Sequence, residues 1–358
     1  MMEERTTKYM KKRILLGLFL CLYIVSLFGF SRDAYAELQF AYETVLPENQ
    51  KGDGRYFDLR MTSGQEQKVQ IMLTNRADQE QTIEVSLNGV KTNSNGVLEY
   101  GPSALKNDAS LKYDFKDIVK GPTEVTLAPN ETKPLELTIK MPETSFNGKI
   151  VGGIYLKSKP TKEEEEENKK AKGVVNEYAF LVAMVLQETE EKVQPELKLN
   201  KVYAGLSNYR NSVFANFSNI KPEFLNNMTV EMEVMAKDSD AVLYDTKKAD
   251  MKMAPNSMIE FPLEMNGDKM VAGDYKAHML VTSDDKKWEW TENFTITNEE
   301  ADKYNAQDVS LIQEPGINWK LVALIGAGIF LAFLLIFFGI RAYNKKNKKR
   351  NKKKKKKK

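Results

Sequence analysis

Trp288-Glu289-Trp290 lies in a run of alternating character, and a strand there sets both indoles on one face. Two rigid rings side by side can stack on the apolar face of a sugar or anchor a protein partner, and the same pair can equally serve as strand packing. Tyr56-Phe57-Asp58-Leu59-Arg60 divides in the same way: Phe57, Leu59 and Met61 share one face, while Tyr56, Asp58 and Arg60 make a polar set on the other. Nothing comparable supports catalysis. Ser-x-x-Lys occurs at Ser103/Lys106, Ser218/Lys221 and Ser283/Lys286, without the Ser-Asp-Asn and Lys-Thr-Gly partners of serine-acylating enzymes. The single His, His278, sits in an alternating run, and the single Cys, Cys21, in an apolar one, so no disulfide, thiolate zinc site or Ser/His/Asp triad can be assembled. Acidic pairs such as Asp284-Asp285 and Glu231/Glu233 leave one alternative, a wall-modifying hydrolase that uses a carboxylate pair. We assign no catalytic residue, metal or cofactor.

The elements that must position these residues are strands. From Leu38 to Leu156 the apolar period is two, as in Val69-x-Ile71-x-Leu73, Ile83-x-Val85-x-Leu87 and Leu135-x-Leu137-x-Ile139. Turn signals such as Ser94-Asn95-Gly96, Gly121-Pro122 and Asn147-Gly148 separate the runs. Residues 157–172 are charged and carry nothing large and apolar, which reads as a linker. Strand patterning resumes at Tyr178–Leu186 and returns at Val213–Phe217, Met228–Met235, Ile259–Met265, Tyr275–Val281 and Trp288–Ile296. Leu127-Ala-Pro-Asn130 and Met253-Ala-Pro-Asn256 each precede an alternating strand, which hints at a shared turn-and-strand plan. The fold class predicted is all-β, with two immunoglobulin-like sandwiches in tandem and one C-terminal transmembrane helix.

Charge and hydropathy set the topology. Of 358 residues, the last eighteen hold 13 Lys and Arg and no acid, whereas residues 37–317 hold 33 Lys and Arg against 47 Asp and Glu, a net of −14. A body so acidic repels polyanions, so nucleic acid is not a partner. Basic residues 1–13, the apolar run at residues 14–30 and Ala34-Tyr35-Ala36 read as a secretory signal peptide, with an uncleaved anchor as the alternative. Leu321–Ile340 carries no charge and is long enough to cross a bilayer. Trp319 and Lys320 at its outer end and Arg341 and Tyr343 at its inner end suit interfacial anchors, and the lysine block places the C-terminus in the cytoplasm. The predicted order is signal peptide (1–36), first sandwich (37–157), charged linker (158–173), second sandwich (174–298), stalk (299–318), transmembrane helix (319–341) and basic tail (342–358).

The chain resembles the WxL-interacting proteins of Gram-positive bacteria. The resemblance is carried by Phe40, Pro47-Glu48-Asn49-Gln50, Tyr56–Leu59, Thr92-Asn93-Ser94-Asn95-Gly96 with Tyr100, Met141-Pro142 and Phe146-Asn147-Gly148 through Gly152-Gly153. Further on it is carried by Ala254-Pro255-Asn256-Ser257, Ala272-Gly273-Asp274-Tyr275 and Trp288-Glu289-Trp290 before Phe294. The residues themselves read as a membrane-anchored, non-enzymatic surface protein, with an adhesin whose Trp288/Trp290 face binds host matrix protein as an alternative; the resemblance implies a first domain that binds peptidoglycan and a second that binds host or extracellular protein. It also implies association with WxL-domain surface proteins. The residues matching the family's motifs are either ligand contacts or architecture. Asn93 and Asn95 among them join Tyr56, Asp58, Arg60, Trp288 and Trp290 as the candidate binding residues.

Overall fold

The computed structural model describes residues 40–170 and 177–311, together with 320, 323–331, 333–338, 340 and 341. The described chain divides into two compact units. Unit 1 holds residues up to Leu197 with the segments Ser218–Leu225 and Lys252–Met258; unit 2 holds Lys198–Phe217, Asn226–Met251 and the residues from Ile259 onward.

Unit 1 is built from β1 (Phe40–Val45), β2 (Phe57–Arg60), β3 (Glu66–Asn75), β4 (Gln81–Gly89), β5 (Lys91–Thr92), β6 (Leu98–Glu99), the short helix α1 (Phe115–Ile118), β7 (Val119–Lys120), β8 (Glu124–Leu127), β9 (Thr132–Lys140), β10 (Lys149–Ser158), helix α2 (Lys162–Lys170) and β11 (Ala179–Gln187). Alternation writes its two sheets. In the sheet β1-β3-β9-β7, Val69 lies opposite Leu137 and Ile71 opposite Leu135, and this row faces inward. In the sheet β2-β11-β10-β4-β8, the inward row includes Phe57, Leu59, Ile83, Leu156 and Met184. The two rows merge into one core, where full burial of each such side chain contributes about 1.5–3 kcal/mol.

Strand β10 is buried on both faces. Ile150 and Ile154 join that core, while Val151 packs with Val90 and Val185 in a second, smaller cluster. Its two central glycines are required by close approach. A Cβ on Gly152 would meet the Phe115 ring at 2.1 Å, and one on Gly153 the Tyr100 carbonyl at 2.5 Å.

The register differs from one predicted boundary in this unit. The run from Tyr178, assigned by sequence to the second sandwich, is β11; it pairs antiparallel with β10 and parallel with β2, so it completes a unit 1 sheet. Its apolar alternation states that it is a strand but cannot state which sheet it joins. Within the charged linker, residues 162–170 are helical, as a Glu- and Lys-rich run allows.

Unit 2 pairs the sheet of β12 (Leu197–Ser207), β13 (Arg210–Asn219) and β16 (Ser257–Glu264) with the sheet ordered β15 (Val242–Met253), β14 (Leu225–Ala236), β17 (Gly273–Ser283) and β18 (Lys286–Ile296). Val213, Phe217, Phe261, Val230, Met279 and Val281 are among its buried side chains. The first nine residues of the predicted stalk, 299–307, fall in helix α3 (Asn298–Gln307). Thr297 and Glu300 cap this helix reciprocally, and the Asp308 carboxylate beyond its end accepts the Asn211 amide at 2.7 Å.

The signal peptide expected over residues 1–36, together with Trp319 and Tyr343, lies outside the described residues. Within the C-terminal apolar run, residues 323–331 and 333–338 are helical, with Phe330, Phe333 and Leu335 exposed. Among the described residues no helix is long and apolar enough to cross a membrane.

Candidate functional site

Edge strand β2 positions the first predicted set as read. Phe57, Leu59 and Met61 point into the core, Tyr56 is exposed, and Asp58 and Arg60 are half-buried. Asp58 accepts a hydrogen bond from the Gln187 side chain at 2.7 Å, and Arg60 pairs with Glu190 at 3.0 Å. The preceding loop braces the row, because the Gln50 side-chain amide donates to the Tyr56 carbonyl and accepts from the Asp58 amide. The result is a polar strip on β2 held from both sides.

Asn93 is part of the turn architecture. Its Oδ1 accepts the amides of Asn95 and Val97, and its Nδ2 donates to Glu99 at 3.0 Å. Asn95 is exposed at the tip, and Gly96 takes a positive φ of 70° there. The turn is a separate feature from the β2 strip; the same unit carries both.

The tryptophan pair lies in unit 2 on β18. Trp288 stands opposite Val281 and Trp290 opposite Met279, both partners buried, so the indoles share the core side of their sheet. Trp290 lies 6.4 Å from the Phe217 ring and Lys286 stands over Trp288 at 5.8 Å. Both indoles are half-buried, so they close an edge of the core and keep one border open. Glu289 points the other way and bonds His278 at 2.9 Å. The three Ser-x-x-Lys serines hydrogen-bond elsewhere: Ser103 to Glu99, Ser218 to Asp108 and Ser283 to the Asn226 carbonyl. Among the described residues no cluster of three or more His, Cys, Asp or Glu could hold a metal. Lys320 and Arg341, proposed as membrane anchors, are helical and exposed.

Sequence reasoning missed two hollows in unit 1 that share Gly89 and Asp114 as lining. The larger, about 290 Å³, is floored by Phe115 and Ile150 and flanked by Tyr113 and Phe146, whose rings lie 5.5 Å apart and tilted by 51°. Lys112 stands 4.9 Å over Tyr113, and Lys149 pairs with Glu223. Aromatic walls with cations and amides at the rim suit a ring-bearing polar ligand of modest size.

The smaller hollow, about 150 Å³, is polar. The end of β4 supplies Asn88, β5 supplies Lys91, the following loop supplies Ser103 and Asn107, and the start of α1 supplies Asp114 and Lys116. Burial pushes the Lys91 ammonium below the usual lysine range; the Asp114 carboxylate opposes this and Lys116 adds to it. No local periodicity announces either hollow, since each depends on loops returning to the end of one strand.

Two family models match the chain: one described as the WxL Interacting Protein peptidoglycan binding domain, over residues 40–158, and one described as the WxL Interacting Protein host binding domain, over residues 169–306. No curated protein matches the sequence significantly. Among solved structures the chain is similar to the YadV chaperone at 11% identity, covering 72% of this chain and 100% of that one with a TM-score of 0.28. It is also similar to the E. coli chaperone DraB at 9% identity, covering 72% and 98% with a TM-score of 0.26.

Proposed function

We propose, because the chain belongs to the WxL-interacting protein family, that it works as a non-enzymatic cell-surface binding protein that grips wall peptidoglycan and an extracellular protein at once. Both matched models describe binding domains. The observation that carries the reading is the peptidoglycan-binding match over residues 40–158, the stretch that supplies most of unit 1 and its polar hollow. The region of the host-binding match takes the protein partner, either a WxL-domain surface protein or host matrix protein.

In this reading a signal peptide exports the chain, and residues 319–341 hold it in the lipid bilayer. The body then lies outside the cell and the basic tail in the cytoplasm. Exposed Phe330, Phe333 and Leu335 on a helical stretch support a lipid-facing role, and the lysine-rich end supports the orientation. Anchoring and wall binding in one chain make capture of the protein partner effectively intramolecular, so weak contacts gain avidity when both are engaged. The test is retention of the full-length protein, in neutral detergent, on purified peptidoglycan sacculi. Retention well above that of an unrelated β-sandwich protein is expected; retention equal to that control overturns wall binding.

A further inference from the structure

The ribbon β5-β6 is rigidly placed. The Thr92 hydroxyl is 2.8 Å from that of Ser257 and accepts the Ala254 amide at 2.9 Å, while the Lys252 amide donates to the Gly96 carbonyl at 2.8 Å, all within unit 1. Lys91 on this ribbon is half-buried in the 150 Å³ hollow, and among the described residues no hydrogen bond or ion pair reaches its ammonium.

The carboxylates around it are engaged elsewhere. Glu99, opposite Lys91 in the ribbon, accepts from Asn93 and from Ser103, at 3.0 and 2.8 Å. Asp114 accepts from Asn107 at 2.8 Å and faces Lys116 at 3.6 Å. A half-desolvated cation with its neighbouring anions already committed, in a cleft with room for a small polar group, is free to take an acceptor from a ligand in place of solvent. The need is sharpened by the surroundings, because residues 37–317 carry a net charge of −14 and repel any anion that lacks a local cation to meet it.

We propose that the Lys91 hollow is an anion subsite that takes a carboxylate or phosphate oxygen of the cell wall. This rests on the wall-binding reading and names the ligand chemistry of that same unit. Lys91 supplies the charge-assisted hydrogen bond, and Lys116 lends a second positive charge at the rim.

The test compares the full-length protein with Lys91→Gln and Lys91→Arg on two sacculus preparations, one untreated and one stripped of phosphodiester-linked polymers by hydrofluoric acid. Lys91→Gln is expected to raise the half-saturating concentration about tenfold, the size of one charge-assisted hydrogen bond, while Lys91→Arg stays within about threefold of the parent. Melting temperatures of both variants should match the parent, since Lys91 is half exposed. A Lys91 effect that survives stripping, with muramyl dipeptide as an effective competitor, assigns the oxygen to a carboxylate. An effect that vanishes on stripping, with glycerol phosphate competing, assigns it to a phosphate. Equal binding by parent and Lys91→Gln on both preparations overturns the subsite and leaves wall binding standing. Absence of retention for the parent itself removes both.

Discussion

Two buried asparagines do the same work at two turns. Asn75 donates to the carbonyls of Gln79, Leu127 and Ala128, and Asn219 donates to those of Glu223 and Ala254. Each therefore clamps an Ala-Pro-Asn turn whose last residue has a left-handed backbone, with φ of 58° at Asn130 and 47° at Asn256. Asparagine tolerates that conformation better than most side chains, and the preceding proline removes a donor the turn would otherwise have to satisfy. Replacing Asn219 by Ala leaves two carbonyls without their donor, and we expect it to destabilise the fold by about 2–4 kcal/mol, read as a drop in denaturation midpoint. A change within about 0.5 kcal/mol, the range of an ordinary surface substitution, would contradict the clamp. The Ala-Pro-Asn echo was legible in the sequence. The clamps were not, because Asn75 and Ala128 are 53 positions apart and nothing local links them. The same distinction separates the candidate residues: the inward face of Phe57 and Leu59 follows from alternation, whereas the meeting of Lys91 with Asp114 and Lys116 depends on the path of loops.

At the scale of elements, helix α3 offers the clearest acid response. Burial opposes ionisation of Asp308, but hydrogen bonds from the Ser310 side chain and from the amides of Asn211, Ser310 and Leu311 outweigh it and hold the carboxyl below its ordinary value. The folded pKa being the lower one, ionised Asp308 stabilises the folded arrangement above the unfolded carboxyl pKa of about 4, and that contribution is lost as pH falls through the depressed value. Hydrogen exchange of the α3 amides should therefore accelerate below about pH 4 relative to the intrinsic rate in the parent. In Asp308→Asn it should already be faster at neutral pH and respond less to acid; identical profiles in the two proteins would refute the role. Elements with an apolar row were legible from sequence, among them β13, β14, β16 and β17. Strand β15 was not, because most of its length is exposed or half-buried and it presents polar side chains at the sheet edge. The helix at the start of the predicted stalk announced itself only through Thr297-x-x-Glu300, a capping signature that composition alone obscures.

Across the whole molecule, charge is segregated between an acidic body and a basic end. Under the proposed topology, protease added to intact bacteria whose wall admits it should digest the body and spare a short fragment carrying the lysine tail, and only lysis should expose that tail. Protection of the body until lysis would reverse the orientation. The joining of β2 to β11 has a further consequence for how the chain matures. Asp58 and Gln187, hydrogen-bonded across this parallel pair, stand 129 positions apart, so during synthesis the edge strand waits for its neighbour until well over a hundred further residues have been made. A fragment ending at residue 158, where the first family match stops, would leave β2 and one side of β10 with bare backbone donors and acceptors, ready to recruit stray strands from other copies. Any recombinant version of the wall-binding half should accordingly run through Gln187.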